Sequence, residues 1–259
     1  HDSSGNGHDA TLVGFAGDDN QWEPGLDRGA LVLASGEDHL VITGLPDVSS
    51  TTWAVWLRMD AEQPYATVFG ADFPGAGAGH TLGFHAGDNV RKPRVLWNHK
   101  NGHASLMSPD PVELGEWNHL AVTYDADSEA IVLYVNGEAK ADGTVGTTPF
   151  SVVHLGQRAS TMNNPFNGGL DHVAIYNRAL SSDEIGQLVN KDSVDEGLLV
   201  LWDMNETSGV TLADTSGGNA NWIEGHMEGG LQLDGEYVSV SDLPDVTSTT
   251  WAAWVRLDA

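Results

Sequence analysis

The chain has 259 residues, 40% of them hydrophobic, and no run long enough for a membrane-spanning helix, so it reads as one large or two ordinary globular domains. Its formal charge is −26, from 37 acidic residues against 11 Lys and Arg, and that field disfavours nucleic acid and anionic membrane as partners. It has no cysteine, which excludes disulfides, thiolate zinc sites and cysteine nucleophiles.

The chain opens with a short polar loop, Asp2-Ser3-Ser4-Gly5-Asn6-Gly7, whose side-chain and backbone oxygens suit a hard cation. Asp2 and Asn6 would serve equally well to close an Asx turn. Beginning at His1 inside a recognisable motif, the stretch reads as a piece of a longer protein. Leu31–Leu33, His39–Thr43 and Thr51–Met59 then alternate as strands, with Trp53 and Trp56 on opposite faces of the third. Thr67–Gly70, Thr81–His85, Arg94–Asn98 and Ala104–Met107 are short strands between loops rich in glycine and proline.

Trp117–Tyr124 sets Leu120, Val122 and Tyr124 against Trp117, Ala121 and Thr123, so both of its faces are at least partly covered. Asp125, Asp127 and Ser128 turn it into Ile131–Val135, and Asn136-Gly137 signals a tight turn with positive φ. Val152–Gly156 leads into a polar loop, Gln157–Asn167, followed by a strand at Leu170–Tyr176. Ser181 with Glu184 forms a capping box, and Ile185, Leu188 and Val189 fall on one side of a short helix. Many short strands, regular turn signals and one short helix predict an all-β, two-sheet antiparallel sandwich.

An internal repeat sets the expected domain map. Leu45–Ala61 recurs at Leu243–Ala259 with 13 of 17 positions identical. Gly29–Leu33 answers Gly229–Leu233, and Asp2–Gly5 answers Asp214–Gly217, a period of about two hundred residues. The expected organisation is a first domain over 1–189, a linker over 190–197, and part of a second copy over 198–259. The second copy opens with a strand, Leu198–Met204, whose counterpart would precede His1 in the first. That strand is expected to pair with Leu170–Tyr176 and close the first sandwich, because an unpaired edge there would invite association.

Three ordered motifs now carry a resemblance. They are Trp117/His119/Leu120/Ala121/Tyr124, then Tyr134-Val135-Asn136-Gly137, then a long run. That run has Phe166/Gly168/Leu170/Asp171/Val173/Ile175, then Tyr176-Asn177-Arg178-Ala179-Leu180-Ser181, then Glu184-Ile185. In these motifs the chain resembles the laminin-G-like jelly rolls of the concanavalin A-like lectin and glucanase superfamily. The resemblance implies a jelly roll, an extracellular or cell-surface setting, and a non-catalytic module that binds a glycan or a cell-surface protein. A structural spacer in a surface protein is the alternative, with neighbouring repeats of the same chain as its contacts. It further implies a structural calcium, with Asp2, Asn6 and Asp171 as the expected ligands; the local alternative is that Asp171 only satisfies backbone amides.

Some members of that superfamily hydrolyse glycosides with carboxylates at alternate positions of one strand. No such run exists here, and Glu113/Glu116 and Glu224/Glu228 have the wrong spacing, so no catalytic residues are expected. Sugar binding needs an aromatic platform beside amides and charges. Trp97, Asn98 and His99 combine these in one hairpin, and Arg158, Asn163 and Asn164, with Tyr65 and Asp72, lie on loops that would share a rim. The alternative for Trp97 is a place in the core, where Trp53, Trp56, Trp117, Trp202, Trp251 and Trp254 are also expected.

Overall fold

The computed structural model describes residues 3–15, 21–26, 29–42, 44–46, 48–73, 76–99, 102–146, 150, 152–158 and 164–204, without the side chains of 72, 73, 76–78, 99 and 102. Beyond these it describes only the backbone of 213–214, 221–223, 230–232 and 238–239. The chain divides into two compact units, His1–Gly209 and Val210–Ala259. Leu198–Trp202, which by the repeat opens the second copy, belongs to the first unit.

The first unit is a sandwich of two antiparallel sheets. Its strands are β1 (Thr11–Val13), β2 (Trp22–Pro24), β3 (Gly29–Leu33), β4 (His39–Ile42), β5 (Thr51–Met59), β6 (Thr67–Phe73), β7 (Ala76–Phe84) and β8 (Pro93–His99). They continue as β9 (Gly102–Met107), β10 (Trp117–Asp125), β11 (Ala130–Val135), β12 (Glu138–Thr144), β13 (Val153–Leu155), β14 (Gly168–Tyr176) and β15 (Leu198–Trp202). One sheet has seven strands in the order β1-β4-β13-β6-β7-β8-β9. The other has eight, β12-β11-β10-β5-β14-β3-β2, with β15 beside β14. The second unit contributes two ladders of two strands each, β16 (Ala213–Asp214) with β19 (Val238–Ser239) and β17 (Asn221–Ile223) with β18 (Gly230–Gln232).

Strand alternation decides what each sheet buries. On β5, Trp53, Val55, Leu57 and Met59 are fully buried and face the other sheet, while Ala54, Trp56 and Arg58 point the other way. On β10, Leu120, Val122 and Tyr124 join the same core. Trp53 anchors it, with ring centroids 5.4 Å from Phe69, 5.1 Å from Trp97 and 5.2 Å from Phe150. At about 1.5–3 kcal/mol per large apolar side chain removed from water, this single layer dominates the stability of the unit.

A β-bulge between Asp171 and Ala174 lets one edge of β14 take two partners in succession. Gly168–Leu170 pairs with β3, and Val173–Tyr176 pairs with β15. Val200 and Trp202 of β15 enter the main core, and the Trp202 Nε1–H donates to the His8 carbonyl at 3.2 Å. The hairpin between β11 and β12 turns at Asn136 (φ 51°) and Gly137 (φ 82°), the positive φ pair that an Asn-Gly dipeptide tolerates best.

Outside the eight-stranded sheet lies one short helix, α1 (Ser182–Val189). The Ser181 hydroxyl accepts from the Glu184 N–H while the Glu184 carboxylate takes the Ser181 N–H, completing the box. An eight-residue helix does not hold itself in water, so the box and the packing of Ile185 are what fix it. Ile185, Leu180 and Val194 close over Ala54, Ala121, Ala174 and Tyr176, a second and smaller core.

Candidate functional site

The seven-stranded sheet buries one face and presents the other. In antiparallel pairs, residues opposite each other share a face. One such row on the outer face runs from His154 (β13) through Gly70 (β6), Thr81 (β7) and Leu96 (β8) to Ser105 (β9). The next row runs Thr67, Gly83, Arg94 and Met107 across the same strands from β6 to β9. Each row contains one glycine, Gly70 in the first and Gly83 in the second. A Cβ on Gly83 would stand 2.1 Å from the Ala66 carbonyl oxygen, which already accepts from Phe84 N–H, so only glycine fits there.

Where the two rows meet there is a cavity of about 170 Å³, lined by Tyr65, Thr67, Thr81, Arg94, Leu96, Arg158 and Asn164 among others. That is below the roughly 300–1,000 Å³ of pockets for drug-sized ligands, so it suits one sugar unit or one charged group of something larger. Tyr65 stands at its rim, 47% exposed, with φ at 59°. A non-glycine residue in the left-handed region costs about 1–2 kcal/mol, a strain this loop sustains while holding an aromatic ring open to solvent. Asn164 shares that conformation (φ 58°), and its carbonyl accepts from Thr67 N–H at 2.9 Å, pinning the β13–β14 loop to the sheet.

The two arginines of the cavity differ from four other cations among the described residues. Arg58, Arg91, Lys140 and Arg178 each meet at least one carboxylate. Arg94 and Arg158 meet none among the described residues, and no Asp or Glu lines the cavity. The Arg94 Nε–H donates to the Ser105 hydroxyl at 3.1 Å, whereas the Arg158 Nε is buried without a partner. Burial pushes the Arg94 pKa down from its usual value, Tyr65 nearby offsets part of that, and the neighbouring Arg158 charge pushes it further down.

A second cavity, of about 120 Å³, lies between α1 with its following loop and the outer face of the eight-stranded sheet. His119, His172, Tyr176 and Asp203 line it. Tyr176, its aromatic wall among the described residues, is buried at 2% exposure.

The sequence-based candidates divide between these places. Arg158, Asn164 and Tyr65 converge on the first cavity. Trp97 does not: it is 1% exposed, packed 3.8 Å from the His80 ring and 5.3 Å from Tyr124, because β8 alternation turns it inward with Val95. The expectation that it forms a sugar platform is therefore corrected. Asn98 does face outward with Arg94 and Leu96, but it donates its amide to the Gly79 carbonyl and does not line the cavity. The side chains of His99 and Asp72, and all of Asn163, lie outside the described residues.

Asn6 and Asp171, expected as ligands of one cation, are held apart. The Asn6 amide donates to the Leu198 and Leu199 carbonyls and to the Ser4 hydroxyl. Leu198 pairs with Tyr176 at the far end of β14 from Asp171, so at about 3.3 Å per residue some 13 Å or more separates the two. The fully buried Asp171 carboxylate accepts from Leu26 N–H at 2.9 Å, from His172 N–H at 2.8 Å and meets His172 Nδ1 at 2.8 Å. It serves backbone amides, as the local alternative had it, and the pair does not fit a shared cation. Asp2 lies outside the described residues, and among them no group of three His, Asp or Glu side chains forms a metal site.

Sequence reasoning missed Arg94, Thr81 and Leu96. The signal was present for Arg94: it alternates with the apolar Val95 and Trp97, and a cation on such a strand is notable where acids outnumber bases 37 to 11.

Residues 34–186, more than half of the chain, match the family profile of the concanavalin A-like lectin/glucanases superfamily. Neuronal pentraxin-2 from Homo sapiens is 26% identical over 189 residues, covering 69% of the chain. The chain spans 41% of that relative's length. Among solved structures, domain 4 of AbnA, a GH43 extracellular arabinanase from Geobacillus stearothermophilus, in complex with arabinotriose, is 21% identical at a TM-score of 0.56. That likeness covers 70% of this chain and 87% of the other. A putative carbohydrate-binding protein from Bacteroides ovatus is 19% identical at a TM-score of 0.54, over 80% of this chain and 58% of the other. At these identities the two structures are evidence of a shared fold.

Proposed function

The chain belongs to the concanavalin A-like lectin/glucanase superfamily, and on that premise we propose that it is a non-catalytic extracellular module that binds a saccharide on the outer face of its seven-stranded sheet. The observation that carries this reading is the cavity there: an exposed Tyr65 ring beside Arg94, Arg158, Asn164 and Thr81. A sugar lays its apolar face on the ring and gives its hydroxyls to the amide, the guanidiniums and the threonine hydroxyl. Hydrolysis would need two carboxylates flanking the bond, and the described residues of the cavity wall include none. The arabinotriose complex of the arabinanase domain and the carbohydrate-binding assignment of the Bacteroides protein lend support from the fold. The extracellular setting draws on the arabinanase, which is itself described as extracellular.

The test is a glycan array of neutral and acidic oligosaccharides, followed by titration of the best binder with wild type and Tyr65→Gly. Glycine takes a φ of 59° without strain, so the variant keeps wild-type stability to within about 1 kcal/mol while losing the platform. Binding should weaken at least about tenfold. Unchanged affinity in Tyr65→Gly would move the site elsewhere, and silence across the array would favour the spacer role instead.

A further inference from the structure

We propose that the two arginines of this cavity grip the oxyanion of an acidic saccharide, a carboxylate or a sulfate ester, without a bridging cation. The inference rests on the saccharide reading above and adds the charge class of the ligand. Only 11 residues in the chain are Lys or Arg, against 37 acids, yet two of them share one wall on which no Asp or Glu stands among the described residues. Two partly buried guanidiniums on one wall repel each other, a cost that an anion held between them relieves. The lowered Arg94 pKa reflects that burden. Arg158 Nε is buried without an acceptor, and Arg94 has a single neutral one at the Ser105 hydroxyl. Each guanidinium therefore has donors left over in the planar fork that matches a carboxylate or a sulfate.

The remaining lining accounts for the rest of the ligand. The Asn164 amide and Thr81 hydroxyl suit neutral sugar hydroxyls, and Tyr65 suits a ring face. With no Asp or Glu among the described residues of the wall, none of them offers a hard cation a carboxylate, which favours direct recognition. An acidic peptide would supply the same charge, but the open aromatic beside neutral hydrogen-bonding groups favours a sugar.

The experiment is calorimetric titration of the intact chain, in EDTA, with trigalacturonate, its methyl ester and a sulfated galacto-oligosaccharide of equal length. The acid or the sulfate should bind at least about tenfold more tightly than the ester, and comparing the two tells carboxylate from sulfate. Arg94→Gln and Arg158→Gln should each remove about tenfold of that preference. Arg94→Lys, which keeps the charge and loses the fork, should recover only part of it. If ester and acid bind equally and Tyr65→Gly weakens both, the saccharide site stands and its anionic character is refuted. Acid binding that ignores both arginine variants, or that is seen only in a parallel titration with calcium in place of EDTA, also overturns the proposal. A poly-glutamate peptide binding in place of every saccharide would overturn both readings.

Discussion

The His119 imidazole is 1% exposed, stands 5.5 Å from the Trp56 ring and has an Nδ1 without a hydrogen-bond partner. Burial pushes its pKa down to about 4, with the neighbouring His172 adding to the effect; Lys191, Asp192, Asp195 and Asp203 line the same cavity. The folded state therefore keeps His119 neutral, while the unfolded chain takes a proton near pH 6.5. The stability this represents is complete above pH 6.5 and is lost as pH falls toward 4, by up to about 3 kcal/mol. Urea melts from pH 7 to 4 should show that slope in wild type and a shallower one in His119→Gln. Parallel curves would mean that water or a shift of the strand rehydrates the ring. Glu184 acts in a separate window: Arg178 and Ser181 hold its carboxyl down to about 2, so its contribution is lost only below about 4.5.

The join between the eight-stranded sheet and α1 depends on Thr52, which is fully buried. Its hydroxyl donates to the Arg178 carbonyl at 2.8 Å and accepts from Leu180 N–H at 2.9 Å. Thr52→Val keeps the shape and strands both backbone groups, which should cost about 2–4 kcal/mol in a denaturant melt. A loss below about 0.5 kcal/mol would show that the Arg178–Leu180 segment is not held there. Elements of this kind were legible in the sequence, because Ser181, Glu184 and the long alternations of β5, β10 and β14 are local signals. The short edge strands were not. Glu138–Thr144 has little apolar alternation and becomes β12 because the Asn136-Gly137 turn delivers it to β11. All three residues of β1 are exposed, and only its pairing with β4 defines it. The site was half legible for the same reason. Loop residues Tyr65, Arg158 and Asn164 were recognised by type, but the face to which Trp97 and Arg94 turn depends on which side of β8 meets the core.

The whole chain carries a formal charge of −26, while the described residues of this cavity include two arginines and no acid. The acids repel an anionic ligand at long range, but the Debye length of about 8 Å at physiological salt limits that repulsion to the immediate surface. Within the cavity the arginine contacts decide. The sandwich fold by itself does not specify a ligand, so the proposed function rests on what one outer face carries. The most direct test is an NMR titration with trigalacturonate that follows backbone amides and arginine Nε–H signals together. The account predicts shifts clustered at Tyr65, Thr67, Thr81, Gly83, Arg94, Arg158 and Asn164, with both arginine Nε–H signals moving in step with occupancy. Shifts gathered instead around Ser3–Asn6 or the cavity beneath α1, with both arginine signals still, would contradict it.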